Sequence, residues 1–374
     1  MSILHNENFE FNEARYARYF TASAPNNTTV LDLFSGCGGL SLGFKRAGFG
    51  IVGGIDSNVA AIDTFNQNIG NGHVIDLSNK EWVDVAAKKM ALSNLDVLVG
   101  GPPCQGYSLT GTRKFEDERN QLYNSVFQAI DAFSPRVVLI ENVRGMATLY
   151  GGRAKDQVLK HFEERGYNAS YTIFDSADYG VPQHRKRLFF LATKLNSPLV
   201  WPAPTNSKDD YMTCENALSD LPSMANRMKD STAPYLSDAD NVFQELMRAG
   251  SKLIQNHQPT IHKQFVVDTI RQVPEGGNHK DLPPGVGESR KFNEAWTRYH
   301  SQKPSRTIDT GHRNHFHYKY DRVPTVRENA RLQSFPDSFI FKGNKTQQYR
   351  QVGNAVPVFL SQAIAKSIYS TLLS

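Results

Sequence analysis

The fold is decided by the stretch Val30-Leu31-Asp32-Leu33-Phe34-Ser35-Gly36-Cys37-Gly38-Gly39. Its first five residues form a largely apolar run typical of a buried strand, and residues 36–39 form a glycine-rich turn. Apolar residues at a helix-compatible spacing follow the turn until Gly48. A strand, a glycine-rich turn and a helix in this order predict the first unit of an α/β sheet. The turn can bring bare backbone N–H groups close to a nucleotide-like ligand, and the alternative is that it is only a tight turn.

Further apolar runs continue the same alternation. Residues 51–55 indicate a second strand and residues 58–68 a second helix, while residues 95–99, 137–140 and 187–193 indicate three more strands. Strands that alternate with helices form mostly parallel sheets with helices on both faces. The sequence therefore predicts an α/β fold with a doubly wound, mostly parallel sheet.

The chain changes character after Asn196. Proline becomes frequent, residues 207–247 carry 3 Lys or Arg against 8 Asp or Glu, and residues 248–306 carry 10 against 5. Seven of the 11 histidines lie between His257 and His317. These features predict a second, smaller and irregular domain with an asymmetric charge distribution.

Composition excludes several classes of protein. A hydrophobic fraction of 39% and a charged fraction of 21% exclude a disordered chain, and no apolar run reaches the roughly 18–20 residues of a membrane-spanning helix. The polar segment 1–22 is not typical of a signal peptide. Three cysteines are too few for a disulfide framework, so a cytoplasmic location is expected. The net charge of +5 permits an anionic partner without requiring one.

The loop Gly100-Gly101-Pro102-Pro103-Cys104-Gln105-Gly106-Tyr107-Ser108 follows the strand at residues 95–99. It begins at the carboxyl edge of the sheet, where open α/β sheets bind ligands. Two prolines fix the backbone directly before Cys104, which favours an exposed nucleophile over a buried structural thiol. A metal site is not favoured, because Cys37 and Cys214 are remote in sequence and no CxxC spacing occurs.

Charged residues flank two other predicted strands. Glu141 extends the run 137–140, and apolar surroundings there would raise its pKa and let it donate a proton near neutral pH. The alternative is a salt-bridged strand end. Arg185 and Arg187 are two residues apart, so in an extended segment they share one face and can bind a carbonyl oxygen, a phosphate or a carboxylate. The alternative is a solvated basic run.

Three further polar residues are candidate ligands of a nucleotide-like cofactor. Asp56 ends the second strand and can accept hydrogen bonds from both hydroxyls of a ribose, or can cap the following helix. Asp76 follows the expected third strand, where a carboxylate could reach an adenine amino group. Asn354 precedes the terminal helix predicted at residues 357–373, and capping of that helix is its ordinary role.

Taken in order, these motifs resemble the DNA (cytosine-5) methyltransferases of prokaryotic restriction-modification systems. The resemblance covers residues 28–193 and about 303–374, and only the middle of the chain lacks family motifs. The matching motifs are FSGCGG, GGPPCQ, ENV, QHRKR, RLQSFP and QVGNAVP.

The resemblance implies a fold of the S-adenosylmethionine-dependent methyltransferase type and S-adenosylmethionine as cofactor, with no metal. Residues 1–194 and 346–374 would form the catalytic domain, and residues 195–345 the target-recognition domain and hinge. The cofactor residues would be Phe34, Gly36, Gly38, Asp56, Asp76, Leu122 and Asn354. Ser57 departs from the family, which often has an aromatic residue there, stacked on the adenine.

The resemblance also assigns the catalytic roles. Cys104 would be the nucleophile that adds to cytosine C6, Glu141 the proton donor at N3, and Arg185 with Arg187 the arginines of the target pocket. The enamine formed would attack the sulfonium methyl group, and loss of the C5 proton would expel Cys104. No side chain in these motifs is an obvious base for that last step, so water is expected to take the proton.

A cytosine inside double-stranded DNA can be reached only by base flipping, which the second domain would support through phosphate and base contacts. We expect sequence specificity to reside at about residues 196–303. A monomer without an obligate protein partner is expected, because nothing demands a dimer. The candidate DNA-binding or target-binding residues are Gln105, Ser108, Arg290, Lys291, Arg298, Arg306 and Arg313. For each basic residue taken singly, the alternative is a solvated surface charge.

Three other functions stay open at this point. Transfer to RNA cytosine is the nearest alternative, although the Cys-Phe-Thr tripeptide of that branch is absent. A catalytically silent DNA-binding protein on the same fold is disfavoured by the intact Cys104, Glu141 and Arg185. A nicotinamide oxidoreductase would need G-x-G-x-x-G after the first strand, and the spacing fails.

Overall fold

The computed structural model describes residues 27–90, 95–103, 121–196, 200–286, 295–311 and 314–373. Its main feature is a seven-stranded sheet with the strand order β3-β2-β1-β4-β5-β7-β6. The strands are β1 (Thr29–Leu33), β2 (Gly50–Asp56), β3 (Gly72–Val74), β4 (Val97–Gly100), β5 (Val137–Val143), β6 (Asn168–Asp175) and β7 (Lys186–Thr193).

Helices connect and cover these strands. The helices of the sheet region are α1 (Gly39–Arg46), α2 (Val59–Asn68), α3 (Trp82–Met90), α4 (Gln121–Phe133) and α5 (Arg153–Glu163). The later elements are α6 (Cys214–Leu218), α7 (Val242–Arg248), α8 (Gln264–Gln272), β8 (Thr297–Arg298), β9 (His315–Phe316), α9 (Val326–Leu332), α10 (Lys345–Asn354) and α11 (Val358–Leu373). The predicted α/β class and mostly parallel sheet are confirmed.

The register of the parallel strands brings three loops to one edge. In β1, Leu33 pairs with Gly100 of β4, which in turn pairs with Ile140 of β5. The residues that follow these three therefore emerge side by side at the carboxyl edge of the sheet. Because β1 is also paired with β2 on its other side, this edge contains the switch point where α/β sheets bind ligands.

Strand β7 is antiparallel to both of its neighbours, unlike the parallel strands β1 to β5. It pairs antiparallel with both β5 and β6, and Arg187 near its start lies opposite Val143 at the end of β5. A parallel strand would carry its first residues to the far edge of the sheet. The reversal places the beginning of β7 at the ligand-binding edge instead.

Both faces of the sheet are buried, as the near-continuous apolar runs predict. Leu98 and Ile140 pack into the cluster on one face, and Val99 and Leu139 into the cluster on the other. All four side chains are at most 1% exposed. Each such side chain contributes roughly 1.5–3 kcal/mol by leaving water.

The terminal helix α11 covers the same face as α1. A Cβ on Gly43 would lie 2.2 Å from Oγ of Ser361, so the two helices approach closely only because residue 43 is glycine. Ser361 Oγ donates a hydrogen bond to the carbonyl oxygen of Leu40 at 2.6 Å. This packing joins the end of the chain to its first βα unit.

Residues 200–341 contain short helices, irregular segments and a buried ionic network. Arg331 donates to Asp220 and to Asp337, and all three side chains are fully buried. Arg322 forms two hydrogen bonds of 2.7 Å with the buried Glu328. Part of this region also packs against the first turn, because Cys37 shares a core cluster with residues of α9, α10 and the segment between them.

Across the described part of the chain, no helix combines the length and the apolar character needed to cross a membrane.

Candidate active site

A cleft of about 1960 Å³ opens at the carboxyl edge of the sheet. One wall is made by the ends of β1, β2, β4 and β5 and the start of β7. The other wall is made by residues from the segments 208–213, 275–276 and 297–310, together with the end of α10. The structure therefore brings the sequence motifs of both regions to one space.

The first turn presents backbone to this cleft. Phe34 and Gly36 both line it, with φ of 57° and 53°. Gly36 N–H donates to Asp56 Oδ2 at 2.9 Å, which ties the turn to the end of β2. Gly38, in contrast, is packed behind the turn, where a Cβ would lie 2.3 Å from Ile69.

Asp56 faces the cleft with its carboxylate held by backbone donors. Its Oδ1 accepts from Asn58 N–H at 2.8 Å, in addition to the bond from Gly36. Burial raises the pKa of Asp56, and the backbone hydrogen bonds oppose that shift. The helix-capping alternative is wrong, because Asn58 caps α2 by accepting from Ala61 N–H.

The remaining predicted cofactor residues lie in different settings. Asp76 is exposed, does not line the cleft, and accepts from the backbone and hydroxyl of Ser78, which lower its pKa. Leu122 is half-buried on α4. Asn354 lines the cleft as the last residue of α10. It does not cap α11, which begins four residues later.

Glu141 lies where β5 meets the cleft. Its Oε1 forms a salt bridge of 3.1 Å with Nε of Arg187, and the Glu141 side chain is 13% exposed. Burial raises the pKa of Glu141 despite the lowering influence of Arg187 and Arg185. Glu141 therefore forms a salt bridge, as the alternative interpretation of a salt-bridged strand end expected. It also has the raised pKa that proton donation requires.

Arg185 is almost completely buried behind this pair. Its Nη2 donates to the carbonyl oxygen of Gly353 at 2.9 Å, and its Nη1 to that of Ile308 at 3.4 Å. Burial and the nearby Arg187 lower its pKa to about 9, against the opposing influence of Glu141. Its Nε has no hydrogen-bond partner among the described residues. Arg185 and Arg187 both line the cleft, as their spacing predicts.

Buried amides connect the separate motifs of the site. Gln183 donates to Gln333 Oε1 at 3.0 Å and accepts from Ile308 N–H at 2.8 Å. Gln333 donates to the carbonyl oxygen of Val352 at 2.8 Å. Gly353 allows a close crossing, since a Cβ there would lie 2.2 Å from the carbonyl oxygen of Asp309. These contacts hold the carbonyl groups that position Arg185.

Asp32 is a site residue that the sequence reasoning missed. It is fully buried at the end of β1, lines the cleft, and accepts from Ser41 Oγ at 2.6 Å. Burial raises its pKa to about 7. Its Oδ1 has no hydrogen-bond partner in the described structure. The available signal was a single carboxylate within an otherwise apolar strand.

The predicted DNA-binding residues are only partly covered by the structure. Arg306 is exposed and lines the cleft. Arg298 also lines it but is mostly buried, and its Nη2 donates to Asp321 at 2.6 Å and to the carbonyl oxygen of Ile270 at 2.9 Å. The predicted residues outside the described ranges are Cys104, Gln105, Ser108, Arg290, Lys291 and Arg313.

Within the ranges that the structure describes, no group of three or more His, Cys, Asp or Glu side chains could hold a metal ion.

Comparisons with known proteins agree with this arrangement. The family model for C-5 cytosine-specific DNA methylases matches residues 28–370. Type II methyltransferase M.DdeI of Desulfomicrobium norvegicum is 35% identical over 91% of this chain and 88% of its own length. Type II methyltransferase M1.HphI of Haemophilus parahaemolyticus is also 35% identical, over 91% of this chain and 86% of its own length.

Solved structures share the fold. A putative prophage-encoded DNA modification methyltransferase from E. coli superposes with a TM-score of 0.76 at 28% identity, over 93% of this chain and all of that one. The Dnmt2 methyltransferase of S. pombe, at 18% identity, has a TM-score of 0.59 with the same coverage. The chain therefore belongs to the C-5 cytosine-specific DNA methylase family and is a DNA (cytosine-5) methyltransferase.

Proposed function

We propose that this enzyme transfers a methyl group from S-adenosylmethionine to C5 of a flipped-out cytosine through a covalent bond between Cys104 and C6. It would do so at a specific DNA sequence, as the cytoplasmic modification enzyme of a restriction-modification system. The Type II methyltransferases among its relatives support that biological role. The observation that carries the chemistry is the meeting of Glu141, Arg185 and Arg187 beside the Pro102–Pro103 segment that leads to Cys104.

The other two cysteines support Cys104 as the nucleophile. A thiol attacks as its thiolate, so a nucleophile needs a pKa that permits ionisation. Cys37 and Cys214 are both buried. Burial raises the pKa of Cys37 to about 12 and shifts that of Cys214 even further upward. Of the three cysteines in the sequence, these two are therefore poor candidates.

The residues of the first turn fit S-adenosylmethionine. The cleft offers the Asp56 carboxylate for the ribose hydroxyls and the Phe34 ring for the adenine. Asp32, whose Oδ1 has no hydrogen-bond partner among the described residues, would offer a buried acceptor to the cationic end of the cofactor. Asn354 lines the cleft as well. When bound, the cofactor supplies the electrophilic methyl group.

The chain's own residues activate the cytosine. As the Cys104 thiolate forms a bond to C6, the Glu141 carboxyl provides a proton to ring N3, so the electrons displaced from the C5–C6 double bond do not accumulate as charge on the ring. Arg185, held by two carbonyl groups, donates to cytosine O2 and stabilises developing negative charge. After methylation, water removes the C5 proton, the electron pair of that bond restores the double bond as Cys104 leaves as its thiolate, and the N3 proton returns to the Glu141 carboxylate.

The second wall of the cleft would hold the DNA. Arg306 lines the cleft and is exposed to solvent, so its guanidinium group can reach a DNA phosphate. The base would be received between the catalytic domain, at residues 1–194 and 346–374, and the target-recognition domain and hinge, at residues 195–345. Arg290, Lys291 and Arg313 stay predicted contacts.

Two linked measurements test this proposal. Bisulfite sequencing of DNA from cells that express the chain should reveal 5-methylcytosine at one recurring sequence. DNA with 5-fluorocytosine at that position should then form a covalent adduct on Cys104 in the presence of S-adenosylmethionine, because the C5 substituent cannot leave as a proton. Cys104→Ala should abolish methyl transfer and the adduct while DNA binding persists. An adduct on Cys37 or Cys214, or none on any cysteine, would refute the mechanism.

A further inference from the structure

A buried hydrogen-bond chain lies directly behind the segment that leads to Cys104. It runs from the carbonyl oxygen of Pro102 through the side chain of Asn142 to the hydroxyl of Tyr123 and the sulfur of Met146. Asn142, Tyr123 and Met146 are 2%, 4% and 0% exposed. None of these three side chains lies on the path of the reaction proposed above.

The directions of these hydrogen bonds follow from the groups involved. Asn142 Nδ2 has two hydrogens and donates one to Pro102 O at 3.0 Å and the other to Tyr123 Oη at 2.9 Å. Asn142 Oδ1 accepts from Val143 N–H at 2.8 Å, which fixes the orientation of the amide. Tyr123 Oη donates to Met146 Sδ at 3.1 Å.

The position of Pro102 makes its carbonyl group an effective anchor. The peptide between Pro102 and Pro103 is planar, and the ring of Pro103 fixes its φ. Once the Pro102 carbonyl is held, only ψ of Pro103 remains a soft torsion before the nitrogen of Cys104. A shift of the Asn142 amide is therefore separated from the nitrogen of Cys104 by a single soft torsion.

We propose that Tyr123 is a positioning residue for the nucleophile, acting through Asn142 and the Pro102 carbonyl. This inference rests on the proposed role of Cys104. Without the Tyr123 hydroxyl, one hydrogen of Asn142 Nδ2 loses its acceptor in a buried place. The amide then gains freedom to turn, and the Pro102 carbonyl loses its fixed partner. Tyr123 touches neither DNA nor cofactor in this role.

Tyr123→Phe tests the inference, and Tyr167→Phe is its matched control. Tyr167 is equally buried, at 3%. Its hydroxyl is also hydrogen-bonded, since it donates to the carbonyl oxygen of Pro135 at 2.5 Å. Single-turnover methyl transfer and adduct formation with 5-fluorocytosine DNA should slow about tenfold in Tyr123→Phe, because misplacement of a reacting atom is costly. The DNA dissociation constant should stay within about twofold, since no contact to DNA is removed. Tyr167→Phe should leave both rates unchanged.

A double-mutant cycle separates positioning from general loss of stability. In an Asn142→Ala background, Tyr123→Phe should have almost no further effect on the adduct rate, because the connecting amide is already gone. Full additivity of the two changes would overturn the inference. Equal slowing in Tyr167→Phe, or a loss confined to DNA affinity, would overturn it as well.

Two further outcomes keep the test decisive. If Tyr123→Phe does not fold, Met146→Leu removes the sulfur acceptor at nearly constant volume and should slow the adduct rate in the same direction, by a smaller factor. An unchanged adduct rate in Met146→Leu would then refute the proposal that this hydrogen-bond chain positions Cys104. If the wild-type protein forms no adduct at all, the proposed function fails. If the wild-type protein forms the adduct and Tyr123→Phe forms it at the same rate, only the positioning role of Tyr123 fails.

Discussion

The two walls of the cleft are stabilised by different interactions. The sheet wall rests on apolar side chains such as Leu139 and Ile140, which are fully buried between layers. The region that carries the opposite wall, residues 200–341, buries charges in addition to an apolar cluster, with Arg331 between Asp220 and Asp337. Apolar packing is non-directional, whereas a buried ion pair is favourable only in one geometry with its hydrogen bonds complete. The irregular wall can therefore hold a defined shape without a regular sheet.

Two buried glutamates show the same contrast at single residues. Burial raises the pKa of Glu141 even though Arg187 is nearby. For Glu328 the Arg322 guanidinium forms two hydrogen bonds with the carboxylate, and the pKa falls well below its ordinary value despite complete burial. Glu328 also accepts from Thr325 N–H at 2.7 Å and lies beside His317, so more partners stabilise its anion than stabilise that of Glu141.

The largest expected effect comes from breaking the ionic wall. Arg331→Leu removes the cation that bonds to both buried carboxylates, which leaves Asp220 with Arg248 alone and Asp337 with the more distant Arg327. It should lower the free energy of unfolding by about 3–5 kcal/mol. Urea unfolding followed by circular dichroism measures this loss. Arg227→Leu is the control, because the Arg227–Asp230 pair is exposed and should contribute less than about 1 kcal/mol. Equal losses in the two variants would contradict the distinction between the walls.

The second prediction compares the two glutamates directly. Glu141→Gln should slow single-turnover methyl transfer by a factor on the order of 10² or more, because a general acid is lost. Its melting temperature should fall less than that of Glu328→Gln, which breaks the buried pair with Arg322. Differential scanning fluorimetry and a methyl-transfer assay separate the two effects. Near-normal turnover in Glu141→Gln would reduce this residue to a structural strand end.

The third prediction concerns acid. Because the pKa of Glu328 is lower in the folded than in the unfolded state, its stabilising contribution is complete above its ordinary pKa of 4.5 and is lost as pH falls below that value. Between pH 5.5 and 3.5 the wild type should lose about 1 kcal/mol more of unfolding free energy than Glu328→Gln. Urea titrations at the two pH values provide the comparison. Identical losses would show that Glu328 titrates alike in both states.

The smallest expected effect comes from a comparison of Arg306 and Arg298, which line the same wall of the cleft. Arg306→Ala should weaken DNA binding several-fold and reduce the slope of log K against log salt by about 0.9, as for one lost phosphate contact. Arg298 bonds to Asp321, so Arg298→Ala should instead lower the melting temperature. Fluorescence anisotropy at several salt concentrations measures the first effect, and thermal melting the second. A salt slope that Arg306→Ala leaves unchanged would remove Arg306 from the DNA contacts.

The sheet was predictable from sequence where burial is complete on both faces. Strands β1, β4 and β5 appear as apolar runs because helices cover both of their sides. Strand β6 gave no such signal and was missed. It is the edge strand next to β7, and four of its eight residues, Asn168, Ser170, Tyr171 and Ile173, are exposed. Because so little of β6 is buried, it lacks the continuous apolar run that marks the central strands.

The residues of the site likewise include some that the sequence predicts and some that it does not. Asp56, Glu141 and the arginine pair were predictable because they lie within or beside the strand ends that form the ligand-binding edge. The contact between Gln183 and Gln333 was not, since its partners are 150 residues apart and no local pattern marks them. Arg298 and Arg306 carry the same charge in sequence, and only the fold decides that the first is buried and the second exposed.

The packing of α11 on α1 has a consequence for synthesis on the ribosome. Ser361 bonds to Leu40, a residue translated 321 positions earlier. All strands of the sheet therefore leave the ribosome while the face around α1 still lacks its cover, and at about 5–20 residues per second the wait lasts many seconds. During that interval the nascent sheet exposes apolar surface that a chaperone can bind. We expect the order of translation, rather than the speed of sheet formation, to set when this enzyme first becomes fully folded.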